Sequence, residues 1–301
     1  MKKLFGVVTP LSTPMDQKEH VDYDSLENLC KYLIDHGING LYPNGTTGEV
    51  VYLTIDERKK ILEHTIKAAS GRATVFSMVG AATTSDTIEL ARHAEQAGAD
   101  GIGVVTPYYL HLCDDELFNH YLRVAQSVSA DFPVYLYAIP QLAANDISIE
   151  LAERIAAACP NVVGIKYSYP DMPRMLRFLD IRDHTFSVLT GPDDLFFSML
   201  AAGGDGTISG NSNVIPEYYS ALYHAFLGGD YGRAAKLQDK ILQLNSALSA
   251  ANGLACYKAC LVYRGVIQCA KLRSPLSALP QDETEKLLGK MEALHFTDPA
   301  L

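Results

Sequence analysis

Lys166 closes a run of small and aliphatic residues, Val162-Val163-Gly164-Ile165, that reads as a buried strand. An ammonium at the end of such a strand either snorkels to solvent or sits where its amine is used, because desolvating it unpaired is costly. An amine in an apolar pocket gives up its proton more readily and then attacks a ketone. The resulting Schiff base is an iminium that draws electrons from the adjacent C–C bond. Tyr137, in Val134-Tyr135-Leu136-Tyr137, is a phenol able to move protons, although any one of 17 tyrosines is more often core packing. Gly45-Thr46-Thr47-Gly48-Glu49 sets two hydroxyls and backbone N–H groups between glycines, an arrangement that suits a carboxylate. The same turn also reads as a strand-to-helix loop whose glycines need positive φ. Asp193 and Asp194, after Gly191-Pro192, can accept hydrogen bonds from a polyol or complement a helix dipole.

These residues fall at the ends of recurring apolar segments. Strands are predicted at residues 4–10, 40–45, 73–80, 101–107, 133–140, 162–168, 186–191 and 206–210, with helix-period segments between them. Strands separated by helices pair in parallel, and eight of them predict a (β/α)8 TIM barrel with a C-terminal helical extension. The first strand is followed by no GxGxxG fingerprint, which disfavours an open doubly wound sheet. Asp24-Ser25-Leu26-Glu27 and Thr54-Ile55-Asp56-Glu57 predict helix starts, and Gly37 a helix stop. HGINGLY, AGADGIGVV and AGGDGTISG repeat one helix-to-strand device. The barrel is expected over residues 1–215. Residues 216–301 are expected to be helices packed on it, with breaks near Gly228-Gly229, Asn252-Gly253 and Ser274-Pro275. In a barrel the residues just past the strand ends line one cavity, so Thr9, the 44–49 turn, 106–109, Tyr137, Lys166, 191–194 and 209–213 are expected to converge.

Composition excludes several other classes. The net charge of −10, without a Lys/Arg-rich run, disfavours nucleic acid or an anionic membrane as partner. The short apolar run after Lys2-Lys3 is below signal-peptide length, and no segment reaches membrane-span length. The six cysteines lack a CxxC pair and read as buried thiols of a cytoplasmic protein. None of the nine histidines has a metal-ligand spacing, so no metal is predicted.

PNGTTGEV (43–50), VTPYY (105–109), LYAIP (136–140) and GIKYS (164–168), in this order and spacing, resemble the dihydrodipicolinate synthase/N-acetylneuraminate lyase family of pyruvate-dependent class I aldolases. The resemblance runs from about Leu4 into the helical tail. It implies the barrel, a homotetramer, and no cofactor beyond the covalent Schiff base on Lys166. It further implies that Tyr137 is the catalytic phenol and that Thr46 and Thr47, with Gly45, hold the pyruvyl carboxylate and relay protons. Tyr109 matches an aromatic lent to a neighbouring subunit's relay.

Departures from the family pattern narrow the substrate. Synthases of the family carry an arginine carboxylate clamp where this chain has Leu142, which is similar instead to the sialic acid lyases. Gly191-Pro192-Asp193-Asp194 and Ser168 resemble lyase positions that meet sugar hydroxyls, and Ser209 lies in GTISGNSNVIPE, similar to 2-keto-3-deoxygluconate-type aldolases. Thr46-Thr47 stands where the sialic acid lyases have Ser-Thr, and Ala138 replaces the usual asparagine. The expected activity is cleavage of a 2-keto-3-deoxy sugar acid, of N-acetylneuraminate or 2-keto-3-deoxygluconate type, to pyruvate and an aldehyde. The alternatives are dihydrodipicolinate synthase, a sugar-acid dehydratase on the same machinery, and a non-catalytic keto-acid sensor. The sensor would have no need of the amine.

Overall fold

The computed structural model describes residues 1–249 and 253–298. Along the chain run β1 (Gly6–Pro10), α1 (Tyr23–Asp35), β2 (Gly40–Tyr42), α2 (Ile55–Ala69), β3 (Thr74–Met78), α3 (Thr84–Gln96), β4 (Gly101–Val105) and α4 (Asp114–Ala125). They are followed by β5 (Val134–Ala138), α5 (Pro140–Ala143), α6 (Ile149–Ala158), β6 (Val162–Tyr167), α7 (Met172–Leu179), β7 (Ser187–Thr190), α8 (Phe196–Ala201) and β8 (Gly206–Ile208). The eight strands form a closed barrel in sequence order, each parallel to the next, with β8 returning to β1.

Strand alternation builds two cores. Val8, Tyr42, Phe76, Tyr135, Tyr137 and Leu189 pack together in one, while Val7, Leu41, Val75, Leu136, Ile165 and Val188 join the strand–helix layer. Successive side chains point to opposite faces, so both faces are buried and the strands read as unbroken apolar runs. Phe76 and Tyr135 meet edge to face inside the barrel, 5.6 Å between ring centres.

All eight strands are shorter than their apolar segments suggested. β2 stops before Pro43 and β4 before Thr106-Pro107, because proline has no N–H to give the ladder. The chain beyond β2 instead tightens into a 3₁₀ turn at Thr46–Gly48, and that beyond β8 into one at Asn211–Asn213. Gly37, Gly98 and Gly203 all take positive φ at helix ends, the repeated device expected from their sequence context.

Thr54 caps α2 in a reciprocal box with Glu57. For α1 the cap is Asp22 rather than Asp24: the Asp22 carboxylate accepts the Ser25 N–H at 3.0 Å, and Asp24 lies in the first turn.

The chain continues with α9 (Pro216–Leu227), α10 (Tyr231–Leu248), α11 (Gly253–Tyr263) and α12 (Gln281–Ala293). Asn252, half of one expected break, lies outside the described residues. The break at Ser274-Pro275 is wider than expected, since residues 264–280 contain no helix. The cysteines also differ from expectation. Cys30, Cys159, Cys256 and Cys260 are buried, but Cys113 is exposed and Cys269 half-buried, because Cys113 sits at the start of α4 and Cys269 in the non-helical stretch. Among the described residues no helix is long and apolar enough to cross a membrane.

Candidate active site

Lys166 is the fifth residue of β6 and lies opposite Tyr137 of β5 and Leu189 of β7 in the parallel register. It alternates with Ile165 of the outer layer, so its side chain enters the barrel with Tyr137. The residue is 6% exposed. Its Nζ lies 4.2 Å from the ring centre of Tyr137 and 5.4 Å from that of Tyr42. Among the described residues no carboxylate lies within ion-pair distance of it. Two aromatic faces flank the amine, and they attract a cation whether ammonium or iminium.

Tyr42 was not singled out in the sequence. It follows the same inward alternation on β2, and its buried hydroxyl has no hydrogen-bond partner among the described residues. Burial is the largest cause raising its pKa well above the usual phenol value. Gly103 makes the room, since a Cβ there would stand 1.8 Å from the Tyr42 hydroxyl oxygen.

Tyr137 is buried, and its Oη meets Thr46 Oγ1 at 3.3 Å. Lys166, Tyr137 and Thr46, placed at three different strand ends by sequence, thus form one cluster. The Thr46–Thr47 turn is held from below: Thr13 Oγ1 donates to Gly48 O at 2.8 Å, and a Cβ on Gly48 would lie 2.9 Å from Leu11 O. Positive φ falls on Asn44 (65°) and Glu49 (61°), not on the two glycines, so the loop reading of those glycines is not the reason for them. Gly45 has φ −82° and meets only ordinary contacts, the nearest 3.6 Å from an added Cβ. Thr47 lies beside Gly210, where an added Cβ would be 3.1 Å from Thr47 Oγ1.

A cavity of about 350 Å³ opens next to this cluster, its wall including Thr46, Val105, Tyr108, Ile139, Leu142 and Leu254. Leu142, on the short helix α5 and 63% exposed, is thereby brought to the mouth. Among the described residues no lysine or arginine lines this cavity.

The other predicted residues lie around β6 to β8. Ser168 and Gly191 are neighbours: the Ser168 N–H donates to Ala138 O and the Gly191 N–H to Tyr167 O, both at 2.9 Å. A Cβ on Gly191 would stand 2.1 Å from Ser168 Oγ, so glycine is required there. The Asp193 carboxylate accepts hydrogen bonds from Asn211 Nδ2 at 2.6 Å and Tyr219 Oη at 2.8 Å. Burial pushes its carboxyl above the usual range, against the donors around it. Asp193 is therefore occupied inside the protein, whereas Asp194 is exposed. Ser209 is buried after β8.

Tyr109 stands apart from the cluster, 89% exposed with φ +83°. Asn145 braces the loop on both sides of it, donating to Pro107 O and Leu110 O at 2.8 Å each. Among the described residues no group of three or more His, Cys, Asp or Glu is placed to hold a metal ion.

Comparison with known proteins extends this picture across the chain. A profile of the dihydrodipicolinate synthetase family matches residues 3–294. An uncharacterized DapA-like lyase of Pyrococcus horikoshii is 36% identical over 273 residues, 90% of this chain and 93% of the relative. A 4-hydroxy-tetrahydrodipicolinate synthase of Aquifex aeolicus is 38% identical over 232 residues, 77% of this chain and 78% of that one. The crystal structure of dihydrodipicolinate synthase from Aquifex aeolicus superposes with a TM-score of 0.91 at 32% identity, covering 97% of this chain and 99% of its own. A prophage protein of E. coli K12, of the same family and in complex with pyruvate, superposes with a TM-score of 0.92 at 30% identity over the same shares.

Proposed function

This chain belongs to the dihydrodipicolinate synthetase family and is a pyruvate-dependent class I carbon–carbon lyase, and on that premise we propose that it cleaves a 2-keto-3-deoxy sugar acid to pyruvate and an aldehyde. The observation that carries the reading is the buried Lys166 amine against Tyr137, whose hydroxyl meets Thr46.

The Lys166 amine, as free base, adds to the C2 carbonyl, and loss of water leaves an iminium. Tyr137, relayed by Thr46, accepts the proton of the C4 hydroxyl. The C3–C4 bond then breaks, its electron pair moving to the iminium to give an enamine, and the aldehyde departs. Protonation at C3 and addition of water release pyruvate and restore the amine. Gly45, Thr46 and Thr47 hold the carboxylate, through backbone N–H groups and hydroxyls. Tyr109, exposed in a single chain, serves the site of a neighbouring copy in a homotetramer.

The cavity wall supports an aldehyde half that carries no anion. Leu142 and its aliphatic neighbours offer no cation to a second carboxylate, which disfavours the synthase reaction. Ser168, Gly191, Asp194 and Ser209 are assigned to the sugar hydroxyls. Asp193 fixes the segment that carries Asp194 by accepting from Asn211 and Tyr219.

The test is reduction with borohydride in the presence of pyruvate, followed by mass mapping. A single adduct on Lys166 is expected, and none in Lys166→Ala. Absence of the adduct from the parent chain refutes the reading. Keto-deoxy sugar acids, N-acetylneuraminate, and pyruvate with aspartate semialdehyde are then compared as substrates. Turnover of the semialdehyde alone refutes the assignment of Leu142, and a product that keeps its full carbon chain identifies a dehydratase.

A further inference from the structure

Helix α11 carries Leu254, Tyr257 and Lys258 at i, i+3 and i+4, on one face. Each meets the site at a different point. Leu254 lines the cavity together with Thr46. Tyr257 flanks Gly210 opposite Thr47: a Cβ on that glycine would be 3.2 Å from Tyr257 Oη and 3.1 Å from Thr47 Oγ1. Lys258 Nζ lies 2.5 Å from Glu49 Oε1, with side-chain exposures of 1% and 0%. Opposite charges thus meet with almost no access to water.

Glu49 directly ends the turn that bears both threonines. Its N–H donates to Thr46 O at 3.1 Å, and its surroundings accommodate a left-handed φ of 61°, uncommon for a residue with a Cβ. Those surroundings come from the far end of the chain. Glu49 Oε2 accepts the Arg273 N–H at 2.9 Å, and Lys258 Nζ donates to Lys271 O at 2.7 Å. The turn is thus clamped between α11 and residues 271–273. Two charges withdrawn from water are a poor source of net stability, which leaves geometry as the reason for keeping them.

We propose that Lys258 is a positioning residue for the reaction: through Glu49 it holds the Thr46–Thr47 turn in register with Tyr137, making α11 part of the active site. The inference rests on the roles given above to Lys166, Tyr137 and Thr46.

The test compares the full-length parent with Lys258→Met, Lys258→Arg and the double variant Glu49→Gln/Lys258→Met, using steady-state kinetics, thermal unfolding and borohydride trapping with pyruvate. The double variant leaves no unpaired charge and keeps an acceptor for the Arg273 N–H, so it stays testable if Lys258→Met does not fold. The folded variants are expected to trap pyruvate on Lys166 at saturation, with kcat about tenfold lower and KM raised, and Lys258→Arg to recover part of the loss. A folded double variant with kcat and KM within about twofold of the parent overturns the proposal, as does a loss that only tracks the unfolded fraction. A parent that traps no pyruvate refutes instead the roles on which the proposal rests.

Discussion

The amine and phenol at the centre of the site are set by one strand register. Tyr137 opposite Lys166 brings ring and Nζ to 4.2 Å, and Tyr42 adds a second face because Gly103 leaves it room. In the proposed cycle the Tyr137 hydroxyl takes and returns a proton, while its ring mainly supports the cation. Removing only the hydroxyl separates these roles. Tyr137→Phe is expected to lower kcat by about a hundredfold or more while KM for the cleaved substrate moves little. Steady-state kinetics check this, and an unchanged kcat removes the proton-transfer role from Tyr137.

At the scale of elements, the site depends on how helices begin. α2 follows the Thr46–Thr47 turn by a few residues, and its cap works in both directions: Glu57 N–H to Thr54 Oγ1 at 3.2 Å, and Thr54 N–H to Glu57 Oε2 at 2.9 Å. Glu57 also takes a fork from Arg273, at 2.7 and 2.8 Å. One helix start is therefore tied to the same distal segment that braces Glu49. Thr54→Ala is expected to destabilise the fold by about 1 kcal/mol, measured by urea unfolding, and a loss below about 0.3 kcal/mol shows that the box is not worth its geometry.

For the molecule as a whole, stability should depend on pH through a histidine remote from the chemistry. His120 is 4% exposed, and its Nδ1 meets Thr84 Oγ1 at 2.9 Å. Burial first, and Arg123 second, lower its pKa from 6.5 to about 4. Between those values the unfolded chain binds a proton that the folded chain refuses. The contribution is therefore complete above pH 6.5 and is lost as pH falls towards 4, the total loss reaching about 3 kcal/mol. Thermal unfolding across this window should fall less steeply in His120→Gln than in the parent, and parallel curves would remove His120 from the account.

The local chemistry of the chain was legible in its sequence alone. Apolar runs punctuated by glycine and proline determined eight strands, alternating helices and a barrel, because parallel strands buried on both faces need both the runs and the crossovers. The lysine that ends one such run was legible for the same reason, since only a used or escaping amine belongs there. Strand ends were less so, because a proline's missing N–H stops a ladder that hydropathy would continue. Tertiary structure alone decided which groups meet. It joined Lys166, Tyr137 and Thr46 across strands, turned Asp193 inward to Asn211 and Tyr219, and left Asp194 and Tyr109 exposed. It also paired Glu49 with Lys258, the one charged residue between Gly253 and Tyr263, from more than 200 positions away. That lone charge was the available signal. Its partner was not, because a buried ion pair depends on distance in space, and no periodicity along the chain encodes it.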